Sequence, residues 1–523
     1  MASNESTAPL RSGVEPALTR WRARAARAST IAARIPKVSR MEPAYDVVVI
    51  GSGPNGFAAA ITCARAGLEV LLVEGASTVG GGSRSAALTL PGYTHDVCSA
   101  IHPLAVVSPF FRRVPLAEHG LSWVFPEVPL AHPLDGGNGA TLERSLEATA
   151  ASLEGDGEAY ERVYGPFVRD ADALYEDTLA PLRVPRHPLI LTRFGLQAMR
   201  STSSFAREHF EHAPARALAA GCGAHSFLPL DAPFTAAFSL MLGIAGHSVG
   251  WPCARGGSQQ IADAMAKYLR ALGGTIVTLR MITSMEDLPP AKAYLFDVFP
   301  HALAKIAGER LPARYRAALD RYRHAPGVFK VDWALSSPIP WTHEGSRRAG
   351  TVHVGGALEE LEASEAAVAR GKISARPFVL VAQQTIADAT RAPPGKHTGW
   401  AYCHVPNGST VDMTAAIEAQ IERFAPGFGD CIEARHVMSP ADYGAYNPNN
   451  AGGDIAGGAT DILQLFSRPV ARPVPYATPA PDIFLCSAST PPGGGVHGMC
   501  GYFAARAALR RVFGKRTFVE EEA

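Results

Sequence analysis

The residues best suited to chemistry in this chain are two sets of glycines with an acid and an arginine between and behind them. Gly51, Gly53 and Gly56 stand in the run GSGPNG, with Pro54 and Asn55 completing the turn. Each glycine contributes differently, since the first permits a tight turn, the second lets a pyrophosphate approach the backbone, and the third lets the following helix pack closely on the preceding strand. Glu74 lies eighteen positions past Gly56 (74 − 56). An acid there accepts hydrogen bonds from a ribose and repels a 2′-phosphate. A second turn follows within a few residues, where Gly81, Gly82 and Ser83 bring further backbone amides and Arg84 a planar, permanently charged donor fork for phosphate. Glycine turns also occur for packing alone. The acid and the flanking elements make this one a nucleotide site.

Those elements are legible from pattern. Val47 to Ile50 is a continuous apolar, β-branched run suited to a strand buried on both faces. Phe57 to Gly67 is alanine-rich and helix-compatible, so its N-terminal amides and dipole would face the phosphates. A second buried strand, Glu69 to Val73, delivers Glu74. Further on, Ala262 to Leu272 reads as an amphipathic helix leading into a strand at Thr275 to Leu279. Near the end, Ile483 to Cys486 is a short strand, Pro491 to Gly495 a rigid and then permissive turn, and Met499 to Arg511 a helix aimed at a bound anion. Between these parts, helices are expected over Leu142 to Leu153 and Glu158 to Leu174. Strands are expected at Val328 to Ala334, Thr351 to Val354, Pro377 to Gln383 and Gly395 to Pro406, the last with Trp400 and Tyr402 on one face. Antiparallel pairing of these strands would make the floor of a pocket, with the loop Tyr446 to Asn450 near its entrance.

Composition sets the limits. The chain has 523 residues, 47% of them hydrophobic, enough for a large core and more than one domain. Its 49 basic and 48 acidic residues leave a net charge of +1, which gives no case for a nucleic-acid partner. Eight dispersed cysteines form neither a zinc pattern nor a CxxC redox pair, and a reducing compartment is the simpler assumption. The longest uncharged stretch, Ala232 to Gly246, is shorter than the roughly 18 residues of a membrane span and reads as a buried helix. Pro16 to Met41 holds seven basic residues and no acidic one. It is read as a disordered extension, with an organellar presequence or a region ahead of an internal start at Met41 as the alternatives.

The pair GSGPNG and GGGSR, with Glu74 between, resembles the FAD-binding signature of the glutathione-reductase-like flavoproteins, among them phytoene desaturases, carotenoid isomerases and amine oxidases. LPGY at 90 to 93 with HDVCSAIHPLA at 95 to 105, GGSQQ at 256 to 260, and CSASTPPGGGVHGMCGYFAARAAL at 486 to 509 resemble phytoene-desaturase-like proteins, including the group called pyridine nucleotide-disulphide oxidoreductase domain-containing protein 2. The resemblance spans about 45 to 515. It implies an α/β fold: a Rossmann-like FAD-binding domain of glutathione-reductase type (44–135, 251–300 and 476–515) with an inserted α+β substrate domain (136–250 and 301–475), after a basic extension at 1–43. It implies FAD as cofactor, Ile282 against the adenine, and Gly494, Gly495 and Val496 at the isoalloxazine. His102 and His497 fall in motifs expected near the ring and are the candidates for orienting substrate or moving a proton, although a lone histidine is more often structural; His225, His247 and His404 are weaker.

Departures from the family pattern matter as well. The usual hairpin after the second glycine pair is cut short at Met285 to Pro290, and neither a second GxGxxG turn nor a cysteine pair is present. Stable NAD(P)H binding and disulphide reduction are therefore disfavoured, and electrons are expected to leave to oxygen or a quinone. No triad, metal cluster or carboxylate pair stands out by spacing, which suits chemistry done chiefly by flavin. The resulting expectation is oxidation or desaturation of a hydrophobic small molecule. Flavin-dependent isomerisation of an apolar polyene and a flavin-binding scaffold without turnover are the alternatives. A cytoplasmic location compatible with peripheral membrane contact, or an organellar matrix if the basic segment is a presequence, completes the reading; oligomeric state is left open.

Overall fold

The computed structural model describes residues 45–515, and the basic segment 16–41 lies outside them. The chain enters through β1 (Tyr45–Ile50), turns at Gly51 into α1 (Pro54–Arg65) and returns through β2 (Val70–Val73). Proline at the first helical position and glycine at the cap are what a tight strand-to-helix turn needs, because proline's fixed φ suits the first turn and its missing N–H is not required there. It then leaves this layer for β3 (Val128–Pro133) and β4 (Gly139–Leu142) and a group of helices that includes α2 (Thr235–Ser248). The helix α3 (Gln259–Ala271), β5 (Thr275–Val277) and β6 (Ala291–Phe296) bring it back. A second excursion supplies β7 (Gly327–Leu335), β8 (Ala349–Val354), β9 (Val379–Ala382), β10 (His397–Val405) and β11 (Ile432–Met438). Finally β12 (Ile483–Leu485) and α4 (Met499–Val512) close the first layer.

Two sheets result. The first is a five-stranded parallel sheet ordered β12-β6-β1-β2-β5. Its central strands carry apolar residues on both faces: Val47 and Val49 join the core cluster that also holds the inner faces of α1 and α4, while Val48 and Ile50 join a second cluster with Phe296 and Leu303. That two-sided burial is why β1 reads as an unbroken apolar run. The second sheet has seven strands in the order β11-β7-β10-β9-β8-β3-β4 and is antiparallel apart from the β8–β3 pair. The alternation of β7 decides its two faces. Phe329, Val331 and Trp333 enter one apolar cluster with Ile417 and Phe424, and Lys330 and Asp332 take the opposite face.

Several expected bounds shift. A boundary at 135 would put β3 in the cofactor part, yet β3 pairs with β8 and β4 in the seven-stranded sheet. Leu142 ends a strand instead of starting a helix, which begins at Leu146 behind the cap Ser145. The expected helix 158–174 breaks at Asp170 into Gly157–Arg169 and Ala171–Thr178. The strand after α3 stops at Val277 because Leu279 turns to φ +59. The uncharged stretch 232–246 does form a buried helix, α2, with Leu240, Ile244 and Ala245 fully enclosed. No helix among the described residues is long and apolar enough to cross a membrane.

One buried polar knot ties the segment after Arg84 to the rest. Arg391 reaches Asp96 (3.0 Å), Asp388 (3.0 Å) and the Ala254 carbonyl (3.0 Å), and Asp96 also accepts from the Ser258 amide and the Ser85 hydroxyl, both at 2.7 Å. Burial alone would raise the Asp96 carboxyl, but the Arg391 charge and those hydrogen bonds hold it below its ordinary value. Its contribution to stability is therefore present above the unfolded carboxylate's pKa and lost as pH falls through the folded one. Arg391→Ala leaves two carboxylates without their cation in the interior. A loss of about 3–5 kcal/mol is expected, measured as a shift of the denaturant midpoint; an unshifted midpoint would refute it.

Candidate cofactor and active site

The first glycine turn is closed by its neighbours. Gly51 has φ +97, and a Cβ there would lie 2.7 Å from the Asp297 carbonyl. A Cβ on Gly56 would lie 2.0 Å from the Gly51 carbonyl oxygen, and one on Gly81 would lie 3.0 Å from the Gly53 Cα. The two glycine turns thus lie back to back. Gly80 N–H donates to both the Ser52 carbonyl and hydroxyl at 3.1 Å, Ser83 donates to the Gly80 carbonyl at 2.8 Å, and the Ser99 amide donates to the Gly82 carbonyl at 3.0 Å.

Glu74 fastens this arrangement. Its carboxylate accepts from the Ser52 amide (3.0 Å), the Ser52 hydroxyl (2.5 Å) and the Ala76 amide (2.8 Å), and pairs with Arg84 at 3.0 Å. Arg84 also donates to the Thr78 carbonyl and lies over the Tyr446 ring. Both residues expected to hold a dinucleotide therefore also join the turns to each other. At the far end, α4 begins beside α1: a Cβ on Gly501 would lie 1.8 Å from the Asn55 carbonyl oxygen. The loop before it is shaped by Gly493 and Gly495, at φ +119 and +124, and a Cβ on Gly494 would lie 2.5 Å from the Ala456 carbonyl oxygen. Two helix N-termini converge there, and each presents first-turn amides and a positive dipole end. Asn55 Oδ1 is buried without a partner. Glycine cradles, converging dipoles, a strand-end acid and an unpartnered acceptor fit a dinucleotide such as FAD.

The other named residues take plainer positions. Ile282 is enclosed in the apolar cluster with Val48, Leu71 and Val73. Val496 is half-buried against the main core. His497 uses both ring nitrogens on its own loop, one with the Gly493 carbonyl (3.2 Å) and one accepting from the Met499 amide (3.0 Å). His102 meets the Ser258 hydroxyl at 2.8 Å and leaves Nδ1 unpartnered. Burial pushes both histidines down to about 4, so both are neutral near pH 7. His225 pairs with His353 (3.0 Å), His404 with Glu365 (2.7 Å), and His247 with the Tyr160 hydroxyl (2.9 Å).

A further cluster does not stand out by spacing. Lys330 and Asp332, both fully buried, are paired at 2.5 Å on the inner face of the seven-stranded sheet. His95 and His436 flank the same carboxylate at 3.7 and 3.6 Å. Asp332 Oδ1, His95 Nδ1, His436 Nδ1, Trp400 Nε1 and Tyr446 OH are all buried without a hydrogen-bond partner. Burial would raise Asp332, but the Lys330 charge and the His436 contact hold it below its ordinary value, so it is ionised. The cluster adjoins the cofactor turns through Cys98, whose Sγ lies 3.9 Å from where a Cβ on Gly82 would be and whose thiol is pushed up to about 11 by burial against the opposing charge of Lys330. One sequence signal does point to it: two opposite charges at alternate positions of an otherwise apolar strand share one face.

Comparison with known proteins agrees with this geometry. Residues 46–113 match the model of the FAD dependent oxidoreductase family. The mouse pyridine nucleotide-disulfide oxidoreductase domain-containing protein 2 is 24% identical over 90% of this chain and 94% of its own length. An oxidoreductase from Methanosarcina mazei has the same fold, with a TM-score of 0.60 at 16% identity, over 89% of this chain and 99% of that one. Putrescine oxidase bound to putrescine matches at a TM-score of 0.57 and 17% identity, over 90% and 99% of the two chains.

Proposed function

From an FAD-dependent oxidoreductase as the starting point, we propose that this chain oxidises or desaturates a hydrophobic small molecule by hydride transfer to the flavin. Bound FAD supplies the two-electron acceptor for that hydride. The observation that carries the reading is the inner face of the seven-stranded sheet. Leu380, Ala382, Trp400 and Tyr402 lie there in register, within the same core cluster as the first sheet, and Lys330 and Asp332 close the row. The apolar part of this floor holds a hydrocarbon body and keeps water away. The ionised Asp332, with one oxygen free, accepts the proton that the substrate gives up as its hydride leaves. His436, only 3.6 Å away and partly exposed, passes it toward solvent. Unpartnered polar atoms beside the apolar floor favour a substrate with a heteroatom at the reacting end over a pure hydrocarbon. The amine bound by putrescine oxidase is of that kind. With FAD bound, oxygen or a quinone would serve as the final electron acceptor.

The test is anaerobic mixing of the flavin-loaded protein with lipophilic amines, alcohols and polyenes. Bleaching of the flavin by a substrate with an apolar body supports oxidation. Product formed by pre-reduced protein without net bleaching would replace it with isomerisation, and absence of flavin even after FAD is added would overturn both.

A further inference from the structure

Asp297 stands at the end of β6, next to the first glycine turn, and nothing in the sequence pattern marks it. Its Oδ2 accepts from the Gly56 amide at 2.9 Å and lies 2.7 Å from where a Cβ on Gly53 would be. Gly53 is the glycine whose missing side chain admits a pyrophosphate, and Gly56 N–H belongs to the first turn of α1, whose amides face that anion. A carboxylate thus occupies the part of the cradle that a doubly charged group must approach. The charges around it do not neutralise it. Glu74, at the end of β2, is another carboxylate and is itself matched by Arg84. Cys486, after β12, and Cys500, on α4, face it as thiols held neutral, Cys500 at about 11 through burial. Asn449 contributes an uncharged amide that donates to the Asp297 carbonyl at 3.2 Å. No cation is paired with Asp297 among the described residues.

We propose that Asp297 belongs to the cofactor site as a neutral acid, so that FAD and one proton are taken up together. In that form Oδ2 keeps the Gly56 amide and the acid O–H becomes a donor for a diphosphate oxygen; ionised, the same group repels the diphosphate. The proton comes from solvent and no bond other than O–H is made. Burial first, and the Glu74 charge second, already raise this carboxyl to about 7 against the Gly56 hydrogen bond. A neighbouring diphosphate raises it further. The sign follows: affinity for FAD is full below the pKa of the flavin-free protein and falls as pH rises through it.

The inference rests on FAD being the ligand, and the experiment separates the two. FAD is titrated into the flavin-free full chain between about pH 6 and pH 8.5, where FAD itself has no titrating group, by flavin fluorescence. Protons taken up are counted by calorimetry near pH 8 in two buffers of different ionisation enthalpy. The wild type is expected to bind about thirtyfold more weakly at the upper pH, with close to one proton taken up. In Asp297→Asn, which keeps the acceptor for Gly56, Kd should change less than about threefold and no proton should be taken up. A wild-type Kd independent of pH, or the same slope in Asp297→Asn, overturns the assignment. If the variant does not fold, proton uptake by the wild type decides alone, and zero uptake refutes it. Failure of the wild type to bind FAD at any pH would instead remove the FAD reading itself.

Discussion

Gly56→Ala is expected to yield protein without flavin. The new Cβ would lie 2.0 Å from the Gly51 carbonyl oxygen and 3.0 Å from its carbon, and neither is a side chain able to swing aside. Either α1 separates from the turn or the turn opens, and in both cases the Gly56–Asp297 hydrogen bond and the approach path at Gly53 are lost. Overpacking at such a site costs about 1–3 kcal/mol or more, and flavin content should fall below about a tenth of the wild type because the cradle geometry is a condition of binding. The control is Gly67→Ala, at the other end of α1. Gly67 has φ +75 and nothing within 4 Å of its Cβ position, so this change strains one residue and leaves the cradle alone. It should lower stability by about 1 kcal/mol and keep its flavin. Visible absorbance relative to protein absorbance, with a thermal melt of each variant, distinguishes them. A flavin-replete Gly56→Ala would contradict the account of the turn.

The second large effect concerns Lys330. Lys330→Met removes the cation from a fully buried pair and leaves Asp332 charged in the interior. That should destabilise the fold by about 3–5 kcal/mol and, because burial without the Lys330 charge drives Asp332 toward its neutral form, which cannot accept a proton, lower turnover by about a hundredfold or more. Lys330→Met with Asp332→Leu separates the two roles, because an apolar pair of similar volume is often neutral or stabilising. Stability of the double variant should return to near the wild type while turnover stays low and flavin stays bound. Recovery of turnover in the double variant would reduce the cluster to a packing feature.

What is legible in the sequence is local. β1, the glycine turn, α1, β2 and Glu74 follow one another within thirty residues, so their chemistry is written in consecutive spacing. The C-terminal strand, turn and helix are legible for the same reason. Everything that spacing misses depends on partners far apart in the chain. Asp297 meets Gly56 across 241 positions, brought there only because β6 pairs with β1. β3 resembles part of the cofactor layer until its pairing with β8 assigns it elsewhere. Lys330 and Asp332 share a strand, but the histidines that complete the cluster come from the segment after Arg84 and from β11. Glu74 is expected to face a ribose; its part in joining the two turns becomes visible only when Ser52 and Arg84 are placed around it.

The backbone contact between Gly501 and Asn55 also dictates when the molecule can become active during its own synthesis. The helix that packs against the first turn is made 443 positions after Gly56 (499 − 56). Until Met499–Val512 has been released, the apolar face of α1 that it covers stays bare and the nascent protein has only half of its cofactor cradle. Flavin loading is accordingly expected to follow the release of that helix.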